Sequence, residues 1–328
     1  MPLPIDKTFG QDFGGELCPQ ASAIVQALAD PNAPPAAQTD IEAARRGHAL
    51  ADYDIPVASA ETRVEERWLP TRSRPVRVRL YTPPGDGPFP VLVFAHGGCW
   101  TFCSLDSHDR LCRYYSHHAR CVVVSVDYGL APEQPFPRGL NGFYDSLLWC
   151  FGHADEIRGD ATRVAVAGDS AGGNLCAVAA QRLQAHPNFR LCLQLLIYPI
   201  CDAANLRGGS VDRYANGYFF TREVLAWTAS IYSRDSGPQH PEISPLSGEV
   251  GPRMAPALFI VAQCDILCDQ ALDYARKLRE AGVDVQSHFY RGVPHAFVAM
   301  AGALELGQQA LAYSAEHLTR AFYNESDS

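Results

Sequence analysis

Seven short runs along the chain are apolar enough to be strands: VRVRLYT (76–82), VLVFAH (91–96), CVVVSVDY (121–128), RVAVAG (163–168), LCLQLLIYP (191–199), ALFIVAQ (257–263) and VQSHFYR (285–291). Four are nearly continuous in Val, Ile, Leu and Phe, the pattern of strands covered on both faces. Between the runs the apolar spacing becomes helical, which predicts helices over 106–118, 139–153, 171–185, 269–281 and 302–322. Strand-helix-strand alternation predicts an α/β fold, a mostly parallel central sheet with helices on both faces. The opening runs near 62–69 and 76–82 are more polar and predict an antiparallel edge.

Two regions break the alternation. Residues 1–55 carry helical patterns at 20–29 and 39–51, and residues 203–250 interrupt the sheet after the strand ending at Pro199. A structureless loop of that length is rare inside a domain, and Tyr214, Tyr218, Phe219, Phe220 and Trp227 give this one something to pack with. The expected organisation is an N-terminal cap segment (1–55), a cap insertion (203–250) and an α/β domain built from 56–202 and 251–328. The cap is expected to roof the carboxyl edge of the sheet, where open α/β folds bind their ligands.

Composition narrows the function. The formal charge is −9 without a long basic run, which argues against nucleic acid as a partner. No run reaches the roughly 18 apolar residues of a membrane span. The opening MPLPIDKTFG has neither the charge nor the apolar stretch of a secretory signal. The expected location is the cytoplasm, with no membrane partner. The eleven cysteines then read as reduced thiols. Cys264 and Cys268 have no second ligand pair at zinc-site distance, so no metal is expected.

The chemistry concentrates in three places. In AVAGDSAGGNL (165–175) a strand-like run leads through Gly168-Asp169-Ser170-Ala171-Gly172 into a helix, the context of a nucleophile elbow. Alone, the pentapeptide is also compatible with a glycine-rich turn in which Ser170 merely caps a helix. His96-Gly97-Gly98-Cys99-Trp100 follows the strand VLVFA, where acyl-transfer enzymes need backbone amides free to meet an oxyanion. Gly97, Gly98 and Cys99, with Ala171 after the serine, are the candidate donors. AQCDILCD (262–269) and RGVPHAF (291–297) then supply a carboxylate and an imidazole in the required chain order, Asp265 and His295. His288, His240 and His317 stand in a strand, the cap insertion and the last helix, and are poorer candidates. Asp269 is the rival acid, expected instead to be the N-cap of the helix ALDYARKL. His96 is expected to brace its loop, since a base should follow the nucleophile.

The set HGGCW, VDYGLAPEQPFP, GDSAGGNL, CDILCD and HAF resembles the hormone-sensitive-lipase family, family IV of the bacterial lipolytic esterases. The stretch LDSHDRLCRYYS is most similar to that of bacterial acetyl esterases. The resemblance runs from about residue 60 to the end. It implies a capped α/β-hydrolase fold, no cofactor, hydrolysis of small short-chain acyl esters, and an oxyanion hole from the amides of Gly98, Cys99 and Ala171. Homodimers are common among such proteins, which extends that expectation here. The sequence departs from the family at Cys99, where a third glycine is usual, and at Gly129 and Gln134, which replace Arg and His. Two other readings share the scaffold: an amidase or dedicated metabolite hydrolase, and a ligand-binding protein of the gibberellin-receptor kind. The latter lacks the catalytic histidine that His295 supplies here.

Overall fold

Val91, Val93, Val122, Val124, Val164 and Val166 project to one side of the central strands, and Leu92, Phe94, Val123, Ala165 and Leu195 to the other. Both sets are buried, which is why these strands read as unbroken apolar runs. The computed structural model describes residues 5–30, 32, 34–47, 55 and 61–323. In chain order its strands are β1 Lys7–Phe9, β2 Arg63–Pro70, β3 Pro75–Thr82, β4 Phe89–Ala95, β5 Val122–Val126, β6 Gly159–Asp169, β7 Leu193–Ile197, β8 Ala257–Cys264 and β9 Val285–Pro294. They form one nine-stranded sheet in the order β1-β9-β8-β7-β6-β4-β5-β3-β2. Every pairing is parallel except β2 with β3 and β3 with β5, the antiparallel edge expected from the polar opening runs.

The helices are α1 Pro19–Leu28, α2 Ile41–Gly47, α3 Asp109–His118, α4 Arg138–Gly152, α5 Ala171–Leu183, α6 Gly209–Arg213, α7 Arg222–Ser233, α8 Cys268–Glu280 and α9 Glu305–Tyr323. On one face α4, α5 and α8 bury Leu140, Phe143, Leu175 and Leu272. On the other, α3 and α9 bury Leu111, Tyr115, Leu311 and Leu318. The helix expected over 39–51 is seen from Ile41 to Gly47; residues 39 and 40 precede it and 48–51 lie outside the described residues, as do residues 1–4 and 324–328 of the expected segments. The insertion between β7 and β8 carries α6 and α7 rather than an open loop. Strand β1 was not expected: three residues, Lys-Thr-Phe, pair along the edge of β9 from Lys7↔His288 to Phe9↔Tyr290.

The chain order determines where chemistry can sit. After β4 the chain adds β5 on one side, then crosses to lay β6 on the other, so the strand order reverses at β4. Ligands of doubly wound sheets bind beyond the carboxyl ends of the strands at such a reversal. Here the last register pair of β4 and β6 is Ala95↔Gly168, which sets the loop after His96 beside Ser170.

Candidate active site

Ser170 stands between β6 and α5 with φ 54° and ψ −117°, a left-handed conformation that costs energy for a residue with a side chain. The close approach around it explains the flanking glycines. A Cβ on Gly172 would strike the Ala95 carbonyl, and one on Gly168 the backbone of Gly172. The turn is pinned by the Ser170 amide donating to the Ile197 carbonyl at 2.8 Å. The residue is 4% exposed.

The sequence-predicted partners meet at this serine. His295 follows β9, and its Nε2 lies 3.0 Å from Ser170 Oγ. Its Nδ1 lies 2.7 Å from Asp265 Oδ2 at the end of β8. The other Asp265 oxygen accepts the Leu267 amide at 2.9 Å, so the carboxylate is held at both oxygens. The ring of Phe220, from the insertion, stacks on the imidazole at 4.5 Å, and Tyr198 flanks it at 4.9 Å. The sequence pattern gives Phe220 only to the packing of the insertion and leaves Tyr198 at the end of a strand; the contact of each with the imidazole depends on tertiary placement.

Asp269 is not the N-cap expected of it. Helix α8 begins one residue earlier, at Cys268, with Leu267 as its cap. The Asp269 carboxylate instead accepts the Ser210 amide at 2.8 Å, and its own amide donates to Ser210 Oγ at 3.2 Å. It fastens α6 to α8 and stays away from the imidazole.

The loop after β4 is shaped so that two of its amides, those of Gly98 and Cys99, are left unbonded. In a trans peptide the C=O and the next N–H face opposite ways. The Gly97 carbonyl lies 2.8 Å from His96 Nδ1, which must carry the proton there because a carbonyl only accepts. That turns the Gly98 N–H away from the ring. The Gly98 carbonyl accepts the amides of Thr101 at 2.9 Å and Phe102 at 2.7 Å, which turns the Cys99 N–H away in the same manner. Among the described residues no group takes up the amides of Gly98, Cys99 or Ala171. Gly97 differs from the expectation. Its amide donates to Asp169 Oδ1 at 2.9 Å and is no longer available to a ligand. A Cβ at Gly97 would strike that same carboxylate.

His96 is the brace expected, stacked on Tyr128 at 4.6 Å. A second brace was not foreseen: His108 Nε2 lies 3.0 Å from Asp169 Oδ1. Burial pushes the Asp169 carboxyl up, but the charge and hydrogen bond of His108, with His96 and the Gly97 amide, outweigh it and hold the group below its usual range. The signal was present in the unspecified position of Gly-x-Ser-x-Gly, filled by a carboxylate. The Cys99 thiol, packed under the insertion, is pushed up by burial to about 12 and remains a thiol rather than a nucleophile.

Burial also lowers two imidazoles to about 4: His96, and His288 on β9. Unfolded, each takes a proton near 6.5, while the folded protein refuses it until about 4. Folding stability is therefore full above pH 6.5 and falls as the pH drops toward 4, with His96 alone accounting for about 3 kcal/mol. The melting temperature should decline over that window. His288 has no partner at either ring nitrogen among the described residues and sits against Phe9, Tyr313 and His317. His288→Phe should flatten the decline, and a profile superimposable on the parent's would contradict this account.

A model of the α/β hydrolase fold matches residues 92–299. The chain belongs to that family, in its hormone-sensitive-lipase-like branch. It is 39% identical over 246 residues to an ethyl acetate hydrolase of Pseudomonas putida, spanning 74% of this chain and 77% of that one. It is 38% identical over 271 residues to the carboxylic ester hydrolase LipN of Mycobacterium tuberculosis, spanning 80% and 72%. Among solved structures it superposes on a thermostable esterase from Pseudomonas putida with a TM-score of 0.87, at 29% identity over 94% of this chain and 98% of that one. The hyperthermophilic esterase of Pyrobaculum calidifontis gives 0.85, at 32% identity over 93% and 98%. Among the described residues no helix is long and apolar enough to cross a membrane.

Proposed function

We propose that this esterase cleaves short-chain acyl esters through an acyl-enzyme on Ser170, with His295 as the base and Asp265 as the carboxylate behind it. The observation that carries the reading is the continuous chain Ser170 Oγ–His295–Asp265 at 3.0 and 2.7 Å, ending on buried groups. Ser170 Oγ attacks the ester carbonyl as His295 Nε2 removes its proton. The carbonyl π electrons move to oxygen, which the amides of Gly98, Cys99 and Ala171 receive. Asp265 holds the Nδ1–H tautomer and stabilises the imidazolium. When the tetrahedral adduct collapses, His295 returns the proton to the leaving alcohol. Water then attacks the acyl carbon with His295 again as base, and as this second adduct collapses the bond to Ser170 Oγ breaks, His295 returns the proton to that oxygen and the acid departs.

We read residues 1–55 and 203–250 as one roof over this site. Supporting this, Arg213 and Tyr214 of the insertion bond the Gly14 and Gly15 carbonyls, and Tyr218 bonds Glu16. Phe220 lies on the imidazole itself. A pocket closed this way rewards each buried methylene by about 0.8 kcal/mol until the chain meets the wall. The specificity constant should therefore peak at acyl chains of roughly two to eight carbons. A series of nitrophenyl esters from acetate to palmitate, kept below micelle concentrations, tests this. A maximum at palmitate, or a jump in rate at an oil-water interface, overturns the short-chain reading.

A further inference from the structure

Arg45 lies on α2, in the N-terminal segment, and all five of its N–H bonds are taken. Nε donates to the Thr101 carbonyl at 3.0 Å. Nη1 donates to Glu42 at 2.8 Å and to Glu133 Oε1 at 3.0 Å. Nη2 donates to the Ala131 carbonyl at 3.1 Å and to Glu133 Oε2 at 2.8 Å. A guanidinium offers five donors in one rigid plane, and here that plane joins α2 to two loops: the one after β4 and the one after β5. Those loops also meet directly, through the Ala131 amide and the Trp100 carbonyl at 2.8 Å.

The Thr101 carbonyl is not an arbitrary anchor. Its peptide partner is the Phe102 N–H, which donates to the Gly98 carbonyl at 2.7 Å. The peptide partner of the Gly98 carbonyl is the Cys99 N–H. Two back-to-back peptide planes thus connect the cation to a candidate oxyanion donor: Arg45 to Thr101 and Phe102, then to Gly98 and Cys99. Hydrogen bonds linked in this way fix and polarise one another.

We propose that Arg45 is a positioning residue for ester hydrolysis, aiming the Cys99 amide through the Thr101–Phe102 and Gly98–Cys99 peptides. The inference rests on the oxyanion-hole reading above. Lysine at 45 keeps a cation for Glu133 but has no planar fork for two carbonyls as well. Arg45→Lys should therefore hold the melting temperature near the parent's while kcat on nitrophenyl butyrate falls about tenfold or more, with KM changed by less than about threefold. A phenylboronic acid, which forms a tetrahedral adduct on the serine, should lose affinity by the same factor as kcat/KM. Arg45→Met, which removes every donor, should lose at least as much. If it does not fold, Arg45→Lys alone decides.

A lowered melting temperature with parental kcat and boronate affinity would make Arg45 a structural tie only, and overturn the proposal. So would a rise in KM alone. A parent enzyme that ignores the boronate, or a fully active Ser170→Ala, would instead remove the reading of the site on which the proposal stands.

Discussion

Alanine at position 170 is expected to reduce ester hydrolysis by a factor of roughly a million while the protein stays folded, as loss of a triad nucleophile does. The size follows from the arrangement. His295 Nε2 has the Ser170 hydroxyl 3.0 Å away, and without that hydroxyl no acyl-enzyme forms and only the oxyanion amides remain to act on a bound ester. Stability should change little, because Ser170 is held by its backbone: its amide bonds Ile197, and its carbonyl accepts the amides of Asn174 and Ile200. Alanine in the same left-handed turn keeps all three bonds. The comparison is steady-state turnover beside a thermal melt on the same metal-free preparation. A tenth of parental turnover in the variant would remove Ser170 from the mechanism.

Asn in place of Asp265 should cost on the order of 10⁴ in kcat, through the tautomer. The carboxylate only accepts, so the His295 nitrogen facing it must carry the proton and the nitrogen facing Ser170 stays free to take one. An amide at 265 can turn its NH₂ to the ring, reverse that order and leave a protonated nitrogen against the hydroxyl. Asp269→Asn is the matched control. It lies on the same turn but bonds Ser210 rather than the imidazole, so its turnover should stay close to the parent's. Equal losses in the two variants, or the reverse ranking, would mean that a different carboxylate supports the base.

The two sets of residues differ in how they could be known in advance. Ser170, Asp265 and His295 each end a strand whose apolar run is plain in the sequence, so fold and chain order together bring them to one edge. Strand β1 escaped because three residues, Lys7 to Phe9, are too short to show a period; the edge of β9 supplies the order. Phe220 over His295, His108 against Asp169 and Arg45 against Thr101 all join segments far apart in the chain. Side-chain reach decides these pairings; the residue pattern marks Asp169 as a carboxylate in the elbow but does not name its partner. Asp269 shows the opposite error, a residue with the right chemistry for a cap whose helix starts one position sooner.

The Ala95↔Gly168 pairing at the reversal of the sheet has a consequence for how the enzyme fails. Central strands open last as a protein is warmed, while edge segments and docked loops open first. Ser170 and the unbonded amides of Gly98 and Cys99 follow the two strands of this innermost ladder. The imidazole follows β9, whose outer side is covered among the described residues by the short β1 and by Asp6 and Cys18, which bond Ser287 and Gly292, and the proposed roof is held by contacts such as Arg213 to Gly14. On warming, the proposed roof and the imidazole are therefore expected to loosen while Ser170 and the loop after His96 are still in register, so esterase activity should fall at a lower temperature than the one at which the sheet melts, and recover if the sample is cooled before then.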